Sequence, residues 1–325
     1  MTNSSNSPNS PSARFERAAV IGAGTIGLAW AALFAANGMR VRLSDPRTDL
    51  RESLEAALPS LSAVLPGTEN SDPRERIELG DDPEWAAEHA DIVQENGPER
   101  VETKRELFRR VANAAPEDAV LASSSSGLLP TDIAARLSDG AAARTLVAHP
   151  FNPPHVVPLV EIVPGERTSE PVGEAAFEFY ERLGKTPVRL HRETSGFVAN
   201  RLQSAVLAES FDLVLRGVID AEQLDTIVKN SLGNRWATVG PFESFHLGGG
   251  SGGFRHMIEH LGRGMAERWK DLGTPELDAA NIDTLAEQTE RAYGDDAEAY
   301  RARSARRDHK QLAVTEALRA IDDAD

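Results

Sequence analysis

The chain has no cysteine, few lysines and no long apolar run. Without cysteine it forms no disulfide and offers no thiolate to a metal, and no metal is expected. An intracellular, cytoplasmic setting is the expectation that fits. Of 35 basic residues the lysines are only Lys104, Lys185, Lys229, Lys270 and Lys310. The 51 acidic residues leave a net charge of −16. Such a surface repels nucleic acid and anionic membranes, so neither is an expected partner. No apolar stretch approaches the roughly 20 residues that a membrane-spanning helix requires. The opening MTNSSNSPNSPSARFER is rich in Ser, Asn and Pro and lacks an apolar core. It reads as a disordered tail over 1–13, not as a secretory signal.

What is present is organised around Ala18–Asp45. The order there is strand, glycine turn, helix, strand. Ala18–Ile21 suits a buried parallel strand, and Gly22, Gly24 and Gly27 follow with G-x-G-x-x-G spacing. The first glycine makes a tight turn, the second admits a pyrophosphate, and the third lets helix and strand pack closely. A helix over about 25–37, opening on Thr25 and Ile26, points unpaired N–H groups at that phosphate. Gly38 stops it, and Arg40–Ser44 returns as a strand ending in Asp45. An acid there can bind a ribose 2′-hydroxyl and repels a 2′-phosphate, which favours NAD. Arg47, two residues on, keeps NADP open.

Beyond Asp45 the pattern predicts a helical hairpin over 48–65 broken at Pro59 and Pro66. Short strands follow at 77–79, 91–94, 119–122, 145–148, 156–163 and 187–190, with helices near 84–89, 98–114 and 172–183. Thr131 is the expected N-cap of another helix. Strands alternating with helices imply an α/β fold with a doubly wound, mostly parallel Rossmann-type sheet over 14–193. The texture changes at Thr194. Val198, Leu202 and Val206 form one apolar row of a long helix from Phe197 to about Gly217, and Leu207, Phe211 and Leu215 form another. Two rows predict a helix buried on several sides, opening an all-helical substrate and dimerisation domain over 194–325.

Ligands of open parallel sheets bind beyond the carboxyl ends of the strands. Three such ends carry chemistry: Ser123–Gly127, His149–Pro154 and Glu161. A histidine ending a buried strand beside a carboxylate is a physically sound general base. His149 alone is equally consistent with a structural histidine, and Glu161 with an ion pair to an arginine. The serine run lacks a G-x-S-x-G elbow, so hydroxyls that hold cofactor or substrate read better than an acyl nucleophile.

Gly22–Gly27, Ser123–Leu128, HPFNPP at 149–154, PLVE at 158–161 and SGFVANRL at 195–202 resemble the 3-hydroxyacyl-CoA dehydrogenase family in order and spacing. LGNRWATVGPFES at 232–244 and Arg307-Asp308 resemble its lambda-crystallin branch, which includes L-gulonate 3-dehydrogenases and is related to carnitine 3-dehydrogenases. The resemblance implies His149 as base and Glu161 as its carboxylate. It implies that Ser126 and Asn200 hold the substrate oxygen and position the histidine, and that Glu99 and Lys104 sit beside the nicotinamide ribose. It also implies a dimer and NAD-dependent oxidation of an L-3-hydroxy acid to a 3-keto acid.

Two features favour a free acid over a coenzyme A ester. Between Thr48 and Asp91 stand twelve acids, three arginines and no lysine, a surface that repels a polyphosphate. Arg235 can clamp a carboxylate bidentately, as a free acid requires. An ion pair is the other reading of Arg235. Asn152 is a further substrate candidate, and His246, Arg255 and His256 flank the Gly248–Gly253 loop.

Overall fold

The computed structural model describes residues 15–65 and 72–322. It divides after Asn200 into two compact units. The tail expected over 1–13, and Pro66, lie outside the described residues.

The first unit is an eight-stranded sheet with helices on both faces. Its elements run β1 (Arg17–Ile21), α1 (Thr25–Ala36), β2 (Arg40–Ser44), α2 (Leu50–Ser62), β3 (Ile77–Gly80), α3 (Pro83–Ala87), β4 (Ile92–Glu95) and α4 (Val101–Ala114). Then come β5 (Val120–Ser123), α5 (Pro130–Ala134), α6 (Asp139–Ala143), β6 (Thr145–Pro150), β7 (Leu159–Pro164), α7 (Glu170–Arg182) and β8 (Thr186–Arg189). The spatial order is β3-β2-β1-β4-β5-β6-β7-β8. All neighbours are parallel except β6 and β7, which pair antiparallel with His149 opposite Glu161. The switch of direction between β1 and β4 puts the crevice at the carboxyl end of β1, where a nucleotide binds in such sheets.

Alternate strand residues feed two cores. Ala18 and Val20 join Trp30, Phe34, Phe179 and Tyr180 on one face, while Ala19 and Ile21 join Phe108, Val111 and Ile133 on the other. On the first face Trp30 lies 5.3 Å from Phe34 and 5.6 Å from Tyr180, ring centre to ring centre. Aromatic pairs of this kind contribute about 0.5–1.5 kcal/mol beyond their buried area.

Three expectations need correcting. Proline 59 does not break α2, which runs on to Ser62. Leu50, Leu54, Leu58 and Leu61 are all buried on one side of it, so the last turn is held by packing despite the missing N–H. Thr131 is not an N-cap. Pro130 takes the first helical position after Leu129, and Thr131 Oγ1 instead accepts from Glu166 N at 2.9 Å.

The second unit departs from expectation as well. The helix after Thr194 is α8 (Ala199–Leu215), and within the chain its only buried residue is Val214. Leu202, Val206 and Leu207 are exposed. The rest is helical too: α9 (Ala221–Asn230), α10 (Leu232–Thr238), α11 (Pro241–Gly248), α12 (Gly253–Trp269), α13 (Ala279–Tyr293) and α14 (Ala297–Asp322). Among the described residues this unit has no strand, and none of its helices is long and apolar enough to cross a membrane.

Candidate active site

The glycine turn between β1 and α1 has the shape that a dinucleotide needs. Gly22 is left-handed at φ 92°, and an added Cβ would lie 2.9 Å from the Asn96 backbone. At Gly27 a Cβ would lie 1.8 Å from Gly22 O, so helix and turn touch where only glycine fits. At Gly24 a Cβ would meet no protein atom within 4 Å. That space lies open beside the start of α1, whose N-cap lacks a side-chain bond and whose first turn holds no acid. The unpaired N–H groups of Thr25 and its neighbours are therefore free to take phosphate oxygens. Ile26 turns the other way and packs on the core.

Asp45 stands at the end of β2, as expected. Its Oδ2 accepts from Ala23 N at 2.7 Å, which ties the acid to the glycine turn. Its Oδ1 accepts from Arg47 N at 3.0 Å and Arg47 Nε at 3.3 Å. Arg47 is thereby held by Asp45, not left open for a 2′-phosphate.

The end of β4 was not among the strand ends that the sequence marked, yet it is the most densely bonded. Glu95 is buried, and its oxygens accept from Lys104 Nζ at 2.9 and 2.8 Å, Ser123 Oγ at 2.6 Å and Gly97 N at 2.6 Å. Lys104 is equally buried and gives its third proton to Gly97 O at 3.2 Å. Its ammonium is saturated inside the protein, 3.6 Å from Glu99. It thereby holds Gly97 and sets its charge beside Glu99. A glutamate directly at a strand end, nine residues before a lysine on the next helix, was the available signal.

Glu99 in turn organises the serine loop. Its Oε1 accepts from Ser125 Oγ at 2.5 Å and from the N–H groups of Ser126 and Gly127, each at 3.0 Å. Burial pushes this carboxyl upward, but the Ser125 bond, the Lys104 charge and the Gly127 and Leu128 N–H groups outweigh it and hold it below its ordinary value. Ser124, one residue earlier, belongs to an inner chain. Tyr180 Oη donates to Gln94 Oε1, Gln94 Nε2 donates to Ser124 Oγ at 2.7 Å, and Ser124 Oγ donates to Asn96 Oδ1 at 2.7 Å. Burial pushes the Tyr180 phenol up, so it remains a donor.

Glu161 does not end its strand as expected but lies in the amino-terminal half of β7, which the antiparallel pairing sets beside the carboxyl end of β6. There His149 Nδ1 lies 2.8 Å from Glu161 Oε2, with both side chains almost fully covered. Glu161 Oε1 accepts from Val198 N at 2.9 Å and Ala199 N at 3.1 Å. Burial acts to raise the Glu161 carboxyl, but the His149 bond and the Ala199 and Val198 amides outweigh it and keep it below the ordinary carboxylate value. An ionised carboxylate only accepts, so Nδ1 carries the hydrogen, and in the neutral ring Nε2 is then the nitrogen with the lone pair. The arginine alternative for Glu161 is thus set aside.

Phe151 and Phe197 each lie 5.3 Å from the imidazole, ring centre to ring centre. Phe197 is completely buried and has φ 51°, the only non-glycine residue with positive φ among the described residues. Such a conformation costs on the order of 1–3 kcal/mol. Here it turns the chain so that the next two amides meet Glu161. Asn200, on the first turn of α8, donates from Nδ2 to Ser126 O at 3.0 Å, joining the serine loop to the segment that holds Glu161. The Ser126 side chain is exposed, and so is Asn152, in the turn after β6. Arg235 lies on α10 of the second unit, exposed and without an ion pair among the described residues. No group of three or more metal-ligating side chains occurs among the described residues.

A family model for the NAD-binding domain of 3-hydroxyacyl-CoA dehydrogenase matches residues 17–194, and one for its C-terminal domain matches 196–294. The chain is 40% identical to an L-carnitine dehydrogenase of Streptomyces coelicolor, over 83% of this chain and 85% of that one. It is also 40% identical to a lambda-crystallin homolog of Bos taurus, over 89% and 92%. Among solved structures, an NAD+-dependent dismutase, 5-formyl-3-hydroxy-2-methylpyridine 4-carboxylic acid 5-dehydrogenase, superposes with a TM-score of 0.77 at 28% identity. That match covers 94% of this chain and 99% of the other.

Proposed function

For a chain that belongs to the 3-hydroxyacyl-CoA dehydrogenase family, we propose NAD-dependent oxidation of the 3-hydroxyl of a small, free L-3-hydroxy acid to the 3-keto acid. The observation that carries this reading is the covered His149–Glu161 pair at 2.8 Å. Bound NAD+ supplies the hydride acceptor. His149 Nε2 takes the hydroxyl proton as the C–H hydride leaves, and Glu161 stabilises the imidazolium that results. Glu161 also fixes the ring through Nδ1. Ser126 offers a hydroxyl to the substrate oxygen, and Asn200 keeps the serine loop in place. Glu99 is well disposed to accept from a cofactor hydroxyl.

The acidic stretch from Thr48 to Asp91 supports a free acid over a thioester, because the polyphosphate of coenzyme A would meet twelve carboxylates there. Arg235 is our candidate to hold the substrate carboxylate, and Asn152 a second contact. The L-carnitine dehydrogenase relatives make carnitine the first substrate to test, and the crystallin-branch resemblance makes L-gulonate the second. Initial rates with NAD+ against L-carnitine, L-gulonate and 3-hydroxybutyryl-CoA decide. Turnover of the thioester alone overturns the free-acid reading.

We also propose a homodimer formed through the second unit. The exposed Leu202 and Val206 of one row and Leu207 of the other support this, since apolar stripes along a helix call for burial. A monomeric mass by light scattering at micromolar concentration contradicts it.

A further inference from the structure

The turn that follows the histidine is short of hydrogen-bond donors. Between Phe151 and Pro158 it contains Pro153, Pro154 and Pro158, and Pro150 ends the strand before it. None of these offers an N–H. The turn closes part of its own bonding, since Val156 and Val157 both donate to Pro153 O, at 3.0 and 2.9 Å. The carbonyls of Pro154 and Val157 are satisfied from outside. Lys185 Nζ donates to both, and the Val157 contact measures 2.5 Å.

Lys185 stands between α7 and β8 and is 8% exposed. Its ammonium lies 5.9 Å from the centre of the Trp30 ring. Trp30 belongs to α1, the helix that opens on the glycine turn, and its Nε1 donates to Ser124 Oγ at 3.3 Å. One buried cation thus joins the turn after His149 to the helix beneath the dinucleotide cradle. An ammonium suits this place because its tetrahedral protons can be shared between two carbonyls of one turn.

We infer that Lys185 is a positioning residue for the oxidation. It acts through the turn, where its ammonium donates to Pro154 O and Val157 O. By holding Pro154 O and Val157 O it fixes the path of the turn, and the turn sets the Phe151 ring against His149 and aims Asn152. Without those donors two carbonyls lose their partners, and the turn relaxes toward water. The inference rests on His149 as the base, and one of its tests does not need that reading.

The decisive variant is Lys185→Met, of similar length but without donors. Lys185→Arg restores donors and can still lie on the Trp30 face. The wild-type enzyme and both variants are compared for NAD+ affinity, for kcat and KM toward whichever hydroxy acid the wild type oxidises, and for hydrogen exchange. In Lys185→Met the NAD+ Kd stays within about twofold, while kcat/KM for the hydroxy acid falls about 10- to 100-fold, the scale of an ångström's misplacement. Lys185→Arg recovers most of that loss, remaining about three- to tenfold down with the same selectivity. Exchange rises in peptides covering residues 151–162 and not in those covering 22–36.

Wild-type kcat/KM in folded Lys185→Met overturns the inference, and so does a parallel loss of NAD+ affinity. Should Lys185→Met fail to fold, Lys185→Arg decides by the same selective loss, and wild-type kinetics there assign the lysine to stability alone. Should no hydroxy acid be oxidised, the functional reading fails by itself. The exchange result then tests the lysine independently, with unchanged protection of 151–162 as the overturning outcome.

Discussion

His149 and Glu161 face each other across the one antiparallel pairing of the sheet, Nδ1 to Oε2 at 2.8 Å. The reversal of β7 matters because it brings the carboxylate to the same edge as the histidine from a strand running the opposite way. The cross-strand register fixes their separation, with strand rigidity behind each residue. The amides of Val198 and Ala199 complete the carboxylate's shell.

Acid should weaken the fold through two carboxyls, with a defined sign. Glu161 and Glu99 both lie below their ordinary value, since hydrogen bonds outweigh burial in each. A group more acidic folded than unfolded binds fewer protons in the native state. Its stabilisation is present in full above the unfolded value, about pH 4.5, and fades as pH falls through the lowered folded value. Urea midpoints of Glu161→Gln and the wild type, measured across this range, should converge at the acid end. A gap that widens on acidification contradicts the assignment.

We propose that Asp45 and Arg47 set the choice of cofactor together. Asp45→Ala removes the acceptor of Ala23 N and releases the Arg47 guanidinium, now 3.3 Å from Asp45. NAD+ affinity should fall about 10- to 100-fold, the value of a charge-assisted bond, while NADP+ turnover rises. Titration with both cofactors checks this, and an unchanged NAD+ preference counts against it.

Two glycines of the fingerprint should respond differently to a methyl group. Gly27→Ala forces a Cβ against Gly22 O and should lower the melting temperature, at a cost of about 1–3 kcal/mol or more. Gly24→Ala meets no protein atom. Its melting temperature should stay put while NAD+ binding weakens. Equal thermal losses in the two would place Gly24 in the packing instead of the cradle.

The NAD-binding domain and its glycine turn were legible in the sequence because their requirements are local. Gly22, Gly24, Gly27 and Asp45 sit within one strand–helix–strand unit, and each imposes its constraint on immediate neighbours. His149 stands near the carboxyl end of β6, where the sequence reading looked, but Glu161 does not end a strand: it is the third residue of β7, which runs the other way and so brings its amino-terminal half to that edge. Glu95 was missed because its partners, Ser123 and Lys104, come from other elements and leave no periodic trace. Lys185 and Phe197 were missed for a related reason. A lysine serving two carbonyls and a phenylalanine with positive φ are defined by backbone geometry, which residue type does not disclose. Periodicity misled at α8, whose two apolar rows promised burial that the chain itself does not supply. At Pro59, local propensity yielded to the leucine face of α2.

The Glu95–Lys104 pair offers a test of buried charge. Lys104→Met leaves Glu95 with only Ser123 Oγ and Gly97 N. Loss of one partner of a buried pair costs about 3–5 kcal/mol. Glu95→Gln combined with Lys104→Met should cost less than the two single changes added together. Denaturant unfolding of the three variants measures the coupling, and simple additivity contradicts a direct pair.

The proposed oxidation depends most directly on His149 as the base. The measurement is kcat of His149→Gln at saturating NAD+ and hydroxy acid, with NAD+ affinity determined alongside. The expected result is a fall of about 10²–10⁴ in kcat, the worth of a positioned general base, with NAD+ affinity unchanged. Near wild-type turnover in a variant that binds NAD+ normally would contradict it.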